Sequence, residues 1–429
     1  MQTSKSFVLF LMFFILAGCT SPPVQSVHDS TLIRETDSEE ETQNAKTNEL
    51  LIWTPDNIFS NSLEGFQEKF PDALINIKEI DPNIIAEKYR DSLIKGKTPD
   101  IYVFPIDKIG GFSGGVHGLE DLSKPMYDDS LFMQALPKEL VEEFRTSDSN
   151  KLFALPLLYF PYVTYYRADI LKKYGFPSEP DRLSEWISDK EKWIEMAEVL
   201  KQKGHYITET DHQIIETALR TSNLFNGTYD YIAKKNAFGK ALEGAVEVEE
   251  NDLDPSLNIW EESGKAALKN DELVMFYMAN YVQDQLKEWV PDQKENWGIT
   301  TLPFGLNGGV DRKASTAIAI SSQSQNKMIA WEFIKHMCKD MMNIYKGSNK
   351  DPFYINKDIN RIYWNSVTNS IAGQPTILDK GSENIWKVAL AEFRNGEEIT
   401  EHAIEQVHQD IGDLIRQDQK ALQNLINKN

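Results

Sequence analysis

Between residues 49 and 104, short apolar runs alternate with amphipathic stretches, and that alternation leaves few folds open to the chain. Glu49-Leu50-Leu51-Ile52-Trp53-Thr54 is ended by Pro55-Asp56-Asn57 and reads as a buried strand entering a turn. A helix follows with Leu63, Phe66 and Phe70 on one face, stopped by Pro71. Ala73-Leu74-Ile75-Asn76-Ile77-Lys78-Glu79-Ile80 has a strand pattern, the spacing predicts a helix over 83–95, and Asp100-Ile101-Tyr102-Val103-Phe104 is a third strand. Strands separated by helices pair in parallel, because a parallel pair needs a crossover and the helix supplies it. The fold class is therefore α/β.

The pattern changes at residues 151–166, an apolar and aromatic stretch interrupted by Pro156 and Pro161. Proline removes a backbone donor and disfavours helix before it, so this stretch suits an extended crossing between two lobes. Beyond it lies a helix-rich region to about residue 291, with helices expected over 191–203 and 228–244. A strand returns at Trp297-Gly298-Ile299-Thr300-Thr301-Leu302-Pro303, followed by a Gly-rich loop. Residues 314–321 alternate small and apolar side chains, a helix is expected over 326–338, and an amphipathic helix over 401–426 closes the chain. There is no fixed-period repeat. Each lobe is then discontinuous, the first formed by 48–155 with 300–345 and the second by 156–299 with 346–429.

The chain has 429 residues, 41% hydrophobic and 26% charged, enough for two lobes each with its own core. A net charge of −21 argues against nucleic acid, whose phosphates require clustered Lys and Arg. Two cysteines are too few for a disulfide framework, and Cys338, inside an apolar-periodic helix, reads as a small buried hydrophobe. The apolar run 7–16 after Lys5 is too short to span a bilayer and fits the core of a secretory signal. It ends in Leu16-Ala17-Gly18-Cys19, which resembles the lipobox of bacterial lipoproteins. That resemblance implies removal of a signal peptide, 1–18, and acylation of Cys19, for example by palmitate. The protein would then be lipid-anchored on the extracytoplasmic face of the cell membrane. Residues 20–47 are rich in Ser, Thr, Pro, Gln and acid around Glu39-Glu40-Glu41 and cannot bury enough apolar surface to order themselves. With the anchor they make a disordered tether, 19–47.

In order along the chain, several landmarks resemble the extracellular solute-binding proteins of bacterial ABC importers, in the family 1 group that includes maltose-binding protein. They begin with Ile52-Trp53 at the first strand. Gly96-Lys97-Thr98-Pro99-Asp100-Ile101 resembles the family's step into the third strand. Tyr165-Tyr166-Arg167-Ala168-Asp169-Ile170-Leu171 resembles the segment after the first crossing, with Arg167 where asparagine is usual. Trp297-Gly298-Ile299 with Leu302-Pro303 resembles the return crossing, and residues 327–337 a helix packed on the first lobe. The resemblance implies a periplasmic-binding-protein-like fold, with hinge-connected, discontinuous lobes and a ligand cleft between them. It implies a substrate-binding lipoprotein that captures an extracellular solute, an oligosaccharide or sugar derivative, by lobe closure and delivers it to ABC permease subunits. Such a protein is not an enzyme, needs no cofactor and works as a monomer.

A sugar ring has an apolar C–H face and a hydroxyl rim, so its site pairs aromatic plates with charged or amide hydrogen-bonding groups. Asp56 follows the first strand, and Phe104 and Asp107 follow the third, at strand C-terminal ends where open α/β sheets bind ligands. By resemblance, Phe104 and Asp107 fall where sugar binders keep an aromatic and an aspartate. Tyr159, Phe160 and Tyr162 line the crossing, and Phe160 stands near where maltose-binding protein has an acid, which weakens any transfer of that protein's ligand. Trp260, Tyr281 and Trp386 are the second-lobe candidates, Tyr281 and Trp386 by resemblance to stacking positions. Each aromatic has a plainer reading as core, and Asp56 as a helix cap. Trp53 and Trp331 are assigned to core.

The stretch Gly110-Gly111-Phe112-Ser113-Gly114-Gly115 lacks the lysine and spacing of a phosphate loop and reads as a mobile turn. The seven histidines have no metal-ligand spacing, and no zinc or other metal site is expected. Asp128-Asp129 and Glu142-Glu143 read as solvated faces. Two other functions stay open: a secreted, surface-anchored enzyme acting on polysaccharide, marked by a close acid pair of shifted pKa in the cleft, and a non-transporting sensor relative, its cleft filled by its own side chains. An acidic cleft would point to a cationic solute.

Overall fold

Two separate sheets organise the chain. The computed structural model describes residues 49–112, 118–146, 149–234, 237–306, 309–368 and 373–426. The leader 1–18, Cys19 and the tether 19–47 lie outside the described residues, as do residues 113–115 of the Gly-rich stretch. The strands are β1 (Glu49–Thr54), β2 (Leu74–Glu79), β3 (Ile101–Pro105), β4 (Leu155–Leu158), β5 (Tyr162–Arg167), β6 (Met275–Ala279), β7 (Trp297–Thr300) and β8 (Thr316–Ile320). The first sheet has the order β2-β1-β3-β8-β4 and the second β6-β5-β7.

In the first sheet β1 pairs in parallel with β2 and β3, as the strand and helix alternation requires. The later strands add antiparallel, β8 on β3 and β4 on β8. β3 is buried throughout, which explains its unbroken apolar run, whereas the edge strand β2 carries Asn76 and Lys78. The helix Ser60–Lys69 sets Phe66 edge-on against Phe333 of the helix Lys327–Asn343, with ring centroids 5.1 Å apart. The helix Ile85–Lys95 buries Tyr89, whose hydroxyl donates to the Val103 carbonyl at 3.0 Å. Gly96 ends that helix in the left-handed region at φ 68°, where a Cβ would be strained. Asp100 then accepts from the Leu51 amide at 3.0 Å and from the Ser324 hydroxyl, locking the entry to β3 onto its neighbours.

β5 is the centre of the second, antiparallel sheet. Gly298 of β7 lies under the Tyr166 ring, where a Cβ would come within 2.4 Å of the ring carbon Cζ. Asn356 pairs with the free edge of β7 by donating to the Ile299 carbonyl and accepting from its amide, each at 2.8 Å. Arg167 is buried and held by Asp169 at 2.9 and 2.8 Å and by Asp271, so the charge is paired. The helices Ala168–Lys173, Pro180–Ile187 and Ile359–Thr368 pack on this sheet, and Asp211–Thr221, Ala237–Glu250, Asp379–Arg394 and Glu401–Ile426 pack on one another.

The helix expected over 228–244 begins later, at Ala237. The Asn226 side chain accepts from the amides of Thr228 and Asp230 at 3.0 and 2.8 Å, and a bridge joins Phe225 to Tyr231, so these groups are spent on a turn. The crossings also sit later than 155 and 300. β4 belongs to the first sheet, so the chain leaves at Tyr159-Phe160-Pro161. Phe304 still packs on Trp193 of the second lobe, with centroids 5.1 Å apart, and the return runs through Val310. Pro161 bridges Val310, the Tyr162 amide donates to the Gly309 carbonyl at 2.9 Å, and the Asp311 amide donates to the Phe160 carbonyl at 2.8 Å. The two crossing segments are thus hydrogen-bonded to each other. Cys338 is buried as expected, and so is Trp331, while Trp53 is half-buried against Tyr89 and Tyr102. Among the described residues no helix is long and apolar enough to cross a membrane.

Candidate functional site

The paired crossings place one group of side chains together. The Phe160 amide donates to the Ser315 hydroxyl at 3.1 Å, which fixes its backbone. Its ring meets Tyr281 edge-on, with centroids 5.8 Å apart. Tyr281, in the turn after β6, keeps 37% of its surface exposed and donates from its hydroxyl to Asp311 at 3.3 Å. Asp311 is buried, accepts from Arg220 Nη1 at 3.0 Å and takes the Lys313 amide at 3.1 Å. Burial, reinforced by the Asp311 carboxylate, pushes the Tyr281 hydroxyl up to about 12. Tyr162 is buried beside them with its hydroxyl on the Met278 sulfur at 3.7 Å, and burial holds it well above the usual tyrosine range. Three of the expected residues, Phe160, Tyr162 and Tyr281, therefore converge on an ion pair between buried Asp311 and half-buried Arg220.

A second group lies where the lobes meet. Asp107 follows β3, its amide donating to the Arg312 carbonyl at 3.0 Å and its Oδ2 accepting from Lys108 at 2.6 Å. It lines a cavity of about 10 Å³, room for one water, with Ser222, Asn223, Arg312, Asp379 and Glu383. Burial pushes Glu383 up to about 8, and Asp379 and Asp107 add to the shift against Lys108 and Arg312. Asp379 is raised to about 6 by burial even though the Thr376 amide donates to it. Arg312 Nη1 donates to Glu143 at 3.1 Å, with both side chains buried, so Glu143 is no solvated surface acid. At the rim Gly110 packs on Thr376, and a Cβ there would stand 2.3 Å from the Thr376 carbonyl oxygen.

The other expected residues go elsewhere. Phe104 is fully buried among Tyr89, Tyr102 and Phe112, because β3 is central and both its faces are covered. Trp386 is buried against Phe238 and His408, inside the helical core of the second lobe. Tyr159 is core too, its carbonyl taken by the Tyr345 hydroxyl. Those three rings offer no face to a ligand. Trp260 is half-exposed and packs edge-on against Trp289, one helix length from Tyr281 and apart from both groups. Asp56 is exposed at the end of β1 and accepts from the Asn57 amide at 2.8 Å. It caps nothing, since the next helix starts after Phe59 without a side-chain cap. Sequence reading missed Arg220, Asp311, Arg312, Asp379 and Glu383. The signals were Asp311-Arg312 at the return crossing, and Asp379 with Glu383 four residues apart on one helix face.

Two sheets in lobes joined by paired crossings, with polar groups gathered between them, define a hinged two-lobe binding protein. The chain belongs to the bacterial extracellular solute-binding proteins, whose family model matches residues 62–352. The fold is similar to the crystal structure of an extracellular solute-binding protein of family 1, at 15% identity over 85% of this chain and 99% of that one, TM-score 0.70. It is similar to the galacto-N-biose/lacto-N-biose I-binding protein of a Bifidobacterium longum ABC transporter, solved with lacto-N-biose, at 13% identity over 88% and 98%, TM-score 0.65. A Staphylococcus aureus extracellular solute-binding protein, solved with maltose, matches at 15% identity over 87% and 99%, TM-score 0.60.

Proposed function

We propose that this protein is the receptor of a bacterial ABC importer, anchored through Cys19 beyond a tether, that captures a saccharide between its lobes and presents it to membrane permease subunits. The reading rests above all on Phe160 and Tyr281 standing at the hinge beside the Arg220–Asp311 pair. Aromatic faces suit the C–H face of a sugar, and a charged pair suits its hydroxyl rim. The neighbours solved with lacto-N-biose and maltose agree with it. The first lobe is taken as 48–155 with 300–345, extended to the crossing at Tyr159, and the second as the remainder. Closure would follow from tighter binding of solute by the closed form.

One observation favours a second reading, an enzyme acting on polysaccharide. Asp379 and Glu383 are neighbouring acids held at about 6 and about 8, a condition that glycosidase acids also meet. Fluorescence titration with mono- and oligosaccharides, followed by chromatography of the same samples, separates the two. The receptor gives a saturable signal with intact sugar, weakened at least tenfold by Tyr281→Ala. Cleaved sugar would replace it with the enzyme.

A further inference from the structure

The cavity between the lobes holds three oxygens able to accept a hydrogen bond, of which only the Ser222 hydroxyl can also donate. Asp107 Oδ1, the Ser222 hydroxyl oxygen and the Asn223 carbonyl oxygen are all buried with no hydrogen-bond partner, and Ser222 and Asn223 are each only 4% exposed. The donors nearby are engaged, Lys108 on Asp107 and Arg312 on Glu143. Asp107 comes from the first lobe, Asp379 and Glu383 from the second, so closing the lobes brings carboxylates together in a space with room for about one water. Charged groups forced together without solvent oppose closure, and a cation among them reverses the sign of that term.

The geometry points to a primary ammonium group on the captured solute, seated against Asp107, Asn223 and Glu383 as the lobes close. This deepens the receptor reading and rests on it. An ammonium fits because it supplies several N–H donors and a positive charge in about the volume of one water, whereas a sugar hydroxyl supplies one donor and no charge. A bare metal ion fits less well, since among the described residues no group of three or more His, Cys, Asp or Glu side chains could hold one. The groups facing Glu383 are Asp379, Asp107, Lys108 and Arg312. A cation arriving there displaces the proton that Glu383 otherwise retains near neutral pH, so binding releases protons.

Calorimetric titration of the full-length protein tests this with glucose, galactose, their 2-amino and 2-acetamido forms, the β-1,4-linked glucosamine disaccharide, and putrescine. Runs in two buffers of different ionisation enthalpy measure the protons released. The inference predicts that a 2-amino sugar binds at least tenfold tighter than both its neutral parent and its acetamido form, with proton release at pH 7.5. Asp107→Asn and, separately, Glu383→Gln should erase that preference, with melting curves confirming that each variant is folded. A neutral or acetamido sugar that binds as tightly as its amine overturns the ammonium site and leaves the saccharide receptor standing. Putrescine binding without any sugar upholds the ammonium site and overturns the saccharide cargo. Silence from every probe overturns both.

Discussion

Asp311 takes bonds from Arg220, Tyr281 and the Lys313 amide, and so ties the helix Asp211–Thr221, the turn after β6 and the return crossing to one carboxylate. Asp311→Ala leaves the half-buried Arg220 without its partner and should cost about 2 kcal/mol in urea unfolding, because charged hydrogen bonds are lost and solvent compensates the guanidinium only in part. A second expectation concerns pH. Glu383, at about 8, and Glu209, raised to about 7 chiefly by burial, hold protons in the folded chain that the unfolded chain has already released. Folding therefore binds protons above the ordinary carboxyl range, and stability is lost as pH rises through those folded values. His408, pushed down to about 4 by burial and Lys234, works the other way, but only between 4 and its ordinary 6.5. Between pH 6.5 and 8 the acids act alone, so scanning calorimetry without ligand should show the melting temperature falling, and Glu383→Gln should flatten the fall. Little of this was legible in the sequence. The composition shows an excess of acids, but which acids are buried depends on contacts between residues far apart in the chain, such as Asp107 with Glu383.

Elements were far more legible. β1, β2 and β3 each fall inside or within one or two residues of the apolar runs that marked them, and the last helix spans Glu401–Ile426 as its periodicity implies. Local pattern decides these because each pattern matches its own burial, β3 apolar and covered on both faces, the last helix apolar along one stripe. Where side chains compete for backbone groups, the reading slipped, as with Asn226 and the late start at Ala237. The same limit explains Phe104 and Trp386: strand-end position and local motif suggest a ligand plate, but only the packed neighbours show that the ring is covered. The Trp297-Gly298 motif has a packing cause that can be tested. Gly298→Ala drives a Cβ into the Tyr166 ring and should destabilise the protein by about 1–3 kcal/mol, read as a lower urea midpoint with an unchanged slope.

On the scale of the whole molecule, the paired crossings tie Pro161 to Val310, and the receptor reading expects the two lobes to move as bodies about that tie. Gly110 against Thr376 is a close approach of one lobe to the other. Gly110→Val should hold them apart, weakening solute affinity at least tenfold and also lowering the ligand-free melting temperature, because Gly110 is buried and the added side chain meets the Thr376 backbone. The two-lobe plan itself was readable from the alternation at 49–104, the proline-broken stretch at 151–166 and the return at Trp297, since each is a local pattern. The cavity between the lobes was not, since it is made from four distant segments. The most direct test of the account is the thermal unfolding of the full-length protein across a panel of mono- and oligosaccharides, with the sugar recovered afterwards. A solute that binds only the folded chain must raise its melting temperature. The account predicts a saturable rise with one saccharide class, recovered intact; no rise with any saccharide, or recovery of cleaved sugar, would contradict it.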